Sequence, residues 1–284
     1  MSRDWDAATY DRVSRPLEDL ATTVLDRLDL DGDETVLDAG CGSGNVTLML
    51  LERLPRGHVI AVDSAPSMVE HAREALNGER AVPASPGSLF GQRVAAASPG
   101  SPGRATVFRS NLTELKLDSE VDAVFSSAVF HWIADHERLF ERLFAALRPG
   151  GRMAAQCGGE GNIEHFHEAA RAVGATDPYT EFLGGWAGPW NFAGPVETAA
   201  RLERAGFEGV ETWLEPRPIT PDDPEDYLRT ICLGHHLEQL PDELRDDYVR
   251  AVLARSGSEL DYVRLNINAR RPSRRRRRPA SLTT

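Results

Sequence analysis

Lysine is nearly absent from this chain. Lys116 is the only one among 32 basic residues, and with 44 acidic residues the formal net charge is −12. An acidic body argues against a nucleic-acid partner, because neutralisation of phosphates drives that affinity. Arginine does cluster once, at Arg270, Arg271 and Arg274–Arg278, and a run of like charge there reads as a solvated, disordered tail. Arginine over lysine with abundant acid also fits a GC-rich or salt-adapted source. Cysteine is equally sparse. Cys41, Cys157 and Cys232 are scattered and odd in number, which excludes a disulfide framework and a spaced metal-ligand set and leaves three small buried hydrophobes. No apolar run approaches the ~20 residues of a membrane helix, and no basic-then-apolar leader is seen. The expectation is a cytoplasmic protein with no membrane partner.

What the chain does have is apolar mass and one compact motif. Hydrophobic residues make up 41% of 284, enough for one large domain or a core domain with an appendage. In Thr35-Val36-Leu37-Asp38-Ala39-Gly40-Cys41-Gly42-Ser43-Gly44 a β-branched, apolar run ends in an acid and is followed by three alternate glycines. Alternate glycines let the backbone turn sharply and approach a ligand where any Cβ would collide. The turn delivers the chain to a helical pattern, Asn45 to Leu54, whose free N–H groups face the ligand. A second strand, His58 to Val62, ends in Asp63, 19 residues after Gly44, a spacing that suits ribose hydroxyls.

Further strands are expected at Thr106–Asn111, Val121–Ser127, Arg152–Gln156, Val210–Pro216 and Leu260–Ala269, and helices near Pro66–Leu76 and His136–Leu147. Pro66 suits a first helical turn, where its missing N–H costs nothing. Leu147-Arg148-Pro149-Gly150-Gly151 reads as a helix stop. Strands alternating with helices imply a parallel sheet covered on both faces. The last two strands are expected to pair antiparallel at the sheet edge, with the helices between them standing over the ligand. Residues 79–104, rich in Pro, Gly, Ser and Ala, interrupt the alternation and read as a disordered insertion.

Dinucleotide sites usually read G-x-G-x-x-G. The pattern here, G-x-G-x-G behind an acid, instead resembles motif I of the class I S-adenosylmethionine (SAM) methyltransferases. Trp5-Asp6 with Tyr10, Arg15-Pro16, the segment Val121 to His131-Trp132, Leu147 to Gly151, and Tyr227-Leu228-Arg229-Thr230 extend the resemblance to the trans-aconitate methyltransferase group over nearly the whole chain. The resemblance implies an α/β fold: a Rossmann-like, seven-stranded, mostly parallel sheet with an antiparallel edge strand and a helical lid. It divides the chain into an N-terminal helical cap (1–30), a SAM-binding core (31–157), a lid and acceptor region (158–193 and 217–258), the last helix and strands of the sheet (194–216 and 259–272) and the tail (273–284).

The resemblance also assigns roles. Asp38, Gly40, Gly42 and Gly44 surround the methionine part of SAM, with Arg15 on its carboxylate, Ser127 near its amine and Tyr10 as an aromatic cover. Asp63 holds the ribose with Ser64 beside it, and Asn111 and Leu112 meet the adenine. His131 and Trp132, just past a strand end, lie at the reacting centre. Trp186 and Trp190, in a glycine-rich aromatic loop, and His235 and His236, where the group is expected to carry a basic residue, face the acceptor. Two histidines there imply an acceptor with fewer carboxylates than trans-aconitate.

Methyl transfer from a sulfonium to an ionised carboxylate cancels opposite charges and needs no base, whereas a phenol or carbon acid would call on His131. The expected function is methylation of a small-molecule carboxylate. The alternatives are C- or phenolic O-methylation and a non-enzymatic, SAM-binding regulatory subunit. No metal site is expected. His165 and His167 are two apart on a helix and point in different directions, and the adjacent His235 and His236 meet the same obstacle. Sequence assigns no oligomeric state.

Overall fold

The computed structural model describes residues 15–76, 82–83 and 103–273, with the side chains of 15–18 and 82–83 outside that description. In chain order the elements are α1 (Arg15–Leu25), β1 (Thr35–Ala39), α2 (Asn45–Arg53), β2 (His58–Asp63), α3 (Pro66–Ala75), β3 (Val82–Pro83), β4 (Ala105–Arg109), β5 (Val121–Ser127), a 3₁₀ turn (Phe130–Trp132), α4 (His136–Ala146) and β6 (Leu147–Gly158). There follow α5 (Glu164–Gly174), α6 (Thr180–Leu183), α7 (Pro195–Ala205), β7 (Glu208–Pro216), α8 (Pro224–Tyr227), a π-turn (Leu228–Cys232), α9 (Gly234–Gln239), α10 (Asp242–Ser256) and β8 (Val263–Arg270).

One sheet orders these strands β3-β4-β2-β1-β5-β6-β8-β7. The seven strands read from sequence are all present, and the two-residue β3 adds a short parallel edge beyond β4. Only β8 runs against the rest. It pairs antiparallel with both β6 and β7, so the reversed strand lies one place in from the edge. Two boundaries moved. The Pro149-Gly150-Gly151 stop is already strand, the Gly150 N–H donating to the Arg271 carbonyl and the Arg271 N–H to the Gly151 carbonyl. The final strand begins at Val263, Leu260 making only an isolated bridge to Ile219.

Alternation along the strands divides the apolar residues between two faces. Val36, Val59, Ala61 and Phe125 pack with Leu25, Leu50 and Val69 of α1–α3, whereas Leu37, Ile60, Val62 and Val124 pack with Leu139, Leu143 and Leu202 of α4 and α7. Pro66 opens α3 as its fixed φ allows. Asp135 caps α4 by accepting from the Arg138 N–H, and Gly206 closes α7 in the left-handed region. The helices α5, α6 and α8–α10 bury a third cluster of their own, including Phe166, Tyr227, Leu233, Tyr248 and Val252. No helix of the described residues is long and apolar enough to cross a membrane. All three cysteines are buried and unpaired. The insertion expectation falls mainly on 84–102 and the tail expectation on 274–284, both outside the described residues.

Candidate functional site at the carboxyl ends of the strands

β1 and β2 run side by side in parallel register, Asp38 opposite Ala61 and Ala39 opposite Val62. Both therefore discharge their loops at the same edge, where open α/β sheets bind ligands. The glycine loop is fastened there by backbone. Gly40 and Cys41 donate to the Val62 carbonyl at 2.8 and 3.0 Å. All three loop glycines have positive φ: +91° at Gly40, +54° at Gly42 and +97° at Gly44. Their surroundings differ. A Cβ at Gly40 would stand 2.2 Å from Val129 Cγ2, so β5's loop is packed directly on it. A Cβ at Gly42 would meet nothing within 4 Å, so the loop's tip faces open space. Gly44 precedes α2, whose N-terminus has no side-chain cap.

Two carboxylates flank that space. Asp38 is buried, and one oxygen accepts from Thr47 Oγ1 at 2.6 Å. Burial first, and then the nearby charge of Asp63, push its carboxyl up to about 7 despite the Thr47 bond. Asp63 accepts from the Gly42 N–H at 3.0 Å and from the Ala65 N–H at 2.9 Å. It therefore clamps the glycine loop to the start of α3, a task the sequence did not disclose. Burial raises its carboxyl, and these backbone donors draw it partly back. A pair of carboxylates beside a glycine cradle suits a cationic ligand, and SAM carries a sulfonium cation. Ser64 follows, its carbonyl accepting from Arg109 Nε at 2.9 Å.

After β4, Asn111 is exposed and its Oδ1 accepts from both the N–H and the hydroxyl of Thr113 at 3.0 Å, while Leu112 is buried in the core beneath. Ser127 ends β5, half-buried, opposite Gln156. The next residue, Ala128, holds φ +61°, a turn that L side chains rarely adopt. Tyr10 lies outside the described residues. Arg15 opens α1, its side chain likewise outside.

Beyond Val129, the 3₁₀ turn presents His131 and Trp132. His131 is buried, and its Nδ1 accepts the Gly158 N–H at 3.2 Å. An imidazole accepting at Nδ1 carries its proton on Nε2 when neutral. Burial, then the charges of Arg264 and His136, hold its pKa well below the usual histidine range. Trp132 lies against His131 at 4.8 Å and His235 at 5.2 Å between ring centroids. Trp190 lies 6.1 Å from Trp132, 5.8 Å from Trp186 and 5.5 Å from His236. All six residues read from sequence as reacting-centre or acceptor-facing thus meet in one aromatic cluster, which begins two residues after Val129, the residue packed on Gly40.

Two further members were missed. Phe192 stacks on His131 at 5.8 Å and on Trp190 at 6.4 Å. His167 meets Trp190 at 4.5 Å, while His165 is exposed. A signal for His167 existed. It falls on the stripe Ile163, His167, Ala170, the inward face of α5, where a polar residue stands out. Behind the cluster Gln156, Arg264 and Asn266 form a buried polar chain. Arg264 Nε donates to Gln156 at 3.3 Å, and Gln156 donates to Asn266 at 3.0 Å.

Comparison with known proteins bears on family and fold. Residues 37–153 match the family model described as a methyltransferase domain. The trans-aconitate 2-methyltransferase of Methylobacterium radiotolerans is 30% identical over 259 residues, 88% of this chain and 89% of that protein. The enzyme of the same name from Variovorax paradoxus is 32% identical over 181 residues, and that alignment spans only 60% of the relative's length. Among solved structures, the Haemonchus contortus phosphoethanolamine N-methyltransferase 2 bound to S-adenosylhomocysteine shares the fold. Its TM-score is 0.59 at 16% identity, covering 94% of this chain and 57% of that one.

Proposed function

The chain belongs to the trans-aconitate 2-methyltransferase group of SAM-dependent methyltransferases, and from that premise we propose that it methylates a carboxylate oxygen of a small-molecule acceptor. SAM is its cofactor and supplies an electrophilic methyl group on a sulfonium. The residues that would hold it are those of the cradle. The open flank of Gly42 and the carboxylate of Asp38 receive the methionine end, with Ser127 alongside. Asp63 reaches the ribose from the oxygen lone pairs that the Gly42 and Ala65 amides leave, with Ser64 next to it. Asn111, whose Oδ1 is already engaged by Thr113, offers its amide edge to the adenine, and Leu112 underlies it.

The observation that carries the carboxylate reading is the hydrogen bond from the Gly158 amide to His131 Nδ1. It occupies the imidazole's lone pair and leaves Nε2–H as a donor. In this state His131 orients an acceptor oxygen; it does not take a proton from one. A nucleophile served by such a group must arrive already ionised, as carboxylates are at neutral pH. Alignment and exclusion of water by the aromatic cluster then supply the rate, and positioning alone is worth ~7–11 kcal/mol in well-oriented reactions.

The test is the chemistry of the product. With methyl-labelled SAM, label in a methyl ester is released as methanol by mild alkali, whereas ethers, amines and C-methyl groups keep it. His131→Asn should reduce turnover by less than about tenfold, since a base is worth ~10²–10⁴-fold and a single donor less. Alkali-stable product, with a loss in the larger range and unchanged SAM affinity, would sink the carboxylate reading and install His131 as base.

A further inference from the structure

Resting on the carboxylate reading above, we propose that the acceptor is a monocarboxylic acid with a flat apolar body and a hydrogen-bonding group at its far end, in preference to a polycarboxylate. The walls next to His131 are rings. Trp132, Trp190 and Phe192 are each only partly buried and present faces that favour stacking over ion pairing. Two imidazole nitrogens in these walls, His167 Nε2 and His236 Nδ1, are buried and have no hydrogen-bond partner. Their rings flank Trp190 at 4.5 and 5.5 Å. A buried polar atom without a partner disfavours the empty site and rewards a ligand that supplies one.

The electrostatics point the same way. Burial holds His167 down to about 4 and His236 down to about 3, so both are neutral at physiological pH and bring no positive charge. Among the described residues the permanent cation felt at His131 is Arg264. At the cluster's rim charges of both signs occur: Glu238 is 3.3 Å from His235 Nδ1, and the exposed, solvent-screened Arg171, then Asp261, act on His167. Each carboxylate drawn out of water needs its own cation or set of donors. One such group can be met here. Three, as in a propene tricarboxylate, would set two of them against aromatic faces and acids.

Three probes separate the possibilities: cinnamate, 4-hydroxycinnamate and trans-aconitate, which share a trans-alkenoic acid core and differ in what it carries. Binding is measured by calorimetry on protein saturated with S-adenosylhomocysteine. Both cinnamates should bind at least roughly tenfold more tightly than trans-aconitate. His167→Phe and His236→Phe keep a ring and remove the nitrogens. At least one should weaken 4-hydroxycinnamate by roughly five- to tenfold and leave cinnamate unchanged. S-adenosylhomocysteine affinity, which these variants should retain, certifies their fold. Equal or tighter binding of trans-aconitate, no binding of either cinnamate, or an unchanged ratio of the two cinnamates in both variants would each overturn the inference. The parent reading is scored separately, because 4-hydroxycinnamate offers both a carboxylate and a phenol. A methyl ether from it would defeat the carboxylate reading while the affinity order still decided the acceptor class. A methyl ester made from trans-aconitate with the higher affinity would do the reverse.

Discussion

On the Gly40 side of the site the loop is held through backbone: the Gly42 and Ala65 amides donate to Asp63, the Val62 carbonyl accepts from Gly40 and Cys41, and the glycine tip has open space beside it. On the Trp190 side they are side chains, brought from the 3₁₀ turn, α5, the loop after α6 and α9. A loop whose shape rests on backbone hydrogen bonds and glycines is hard to change by substitution without moving the chain, so that half suits a ligand that never varies. Side-chain walls can be exchanged one residue at a time without touching the sheet. On the function proposed above, the sheet would fix the cofactor, while the helices inserted around β7 and before β8 would set what is methylated.

The sharpest way to break this contrast is at Gly40. Gly40→Ala adds a methyl 2.2 Å from Val129 Cγ2 in a left-handed residue. Overpacking and backbone strain together should cost about 2–5 kcal/mol of stability. Gly42→Ala meets open space and should cost only about 1–2 kcal/mol from its φ, yet weaken SAM by filling the cradle. Urea unfolding of both variants, and of Gly40→Ala combined with Val129→Ala, decides the matter. The double variant should recover most of the packing part, since only Val129 Cβ at 2.9 Å remains in the way, and keep the strain. Equal costs at Gly40 and Gly42 would mean that the contact with Val129 relaxes freely.

A smaller effect sharpens the division of labour. Asp63→Ala removes a ribose partner and the clamp on Gly42, and should weaken SAM by ~1.5–3 kcal/mol, as for hydrogen bonds to a charged group. Trp190→Ala should leave SAM affinity unchanged and depress only acceptor binding. If Trp190→Ala weakened SAM as much as Asp63→Ala, the two halves would be one coupled unit.

The same contrast explains what could be read before folding. Most of the proposed cofactor half, the glycine loop with Asp38, Asp63 and Ser64, lies within Thr35 to Ala65, where strand, glycines and acids keep local spacing and β1 and β2 run in parallel register, while Asn111, Leu112 and Ser127 follow later strands. Trp186 and Trp190 could be picked out by the composition of their loop, and His235 and His236 by the resemblance to the group's lid. The contacts that bring them to Trp132 could not, because they depend on packing between segments far apart in sequence, Trp132 with Trp190 and Trp132 with His235. Helix geometry rules out His165 and His167 as a metal pair and says nothing about which of the two faces inward. The place of β8, one strand in from the edge, likewise needs the long return from α10, which no local pattern encodes.

The finest test concerns the charge on Asp38, whose carboxyl burial has pushed up to about 7. An unfolded aspartate titrates near ~3.9. Between those values the folded chain binds more protons than the unfolded one, so the contribution of this residue to stability is present at low pH and is lost as pH rises through about 7. Binding a cation reverses the preference, because a sulfonium favours the ionised form. Cofactor affinity should therefore climb between pH 6 and pH 8, where a group titrating at about 7 goes from roughly one-tenth to nine-tenths ionised, a gain of up to roughly tenfold. Other groups, including the amine of SAM itself, titrate in that range, so the quantity to measure is the difference from Asp38→Asn. That variant keeps a carbonyl to accept from Thr47 Oγ1 and cannot ionise. Calorimetry at pH 6, 7 and 8 should give the wild type the steeper rise, and unfolding of the ligand-free proteins should show the variant losing less stability over the same interval. Parallel profiles for the two proteins would mean that Asp38 is already ionised at pH 6 and that Thr47 and the loop amides outweigh its burial.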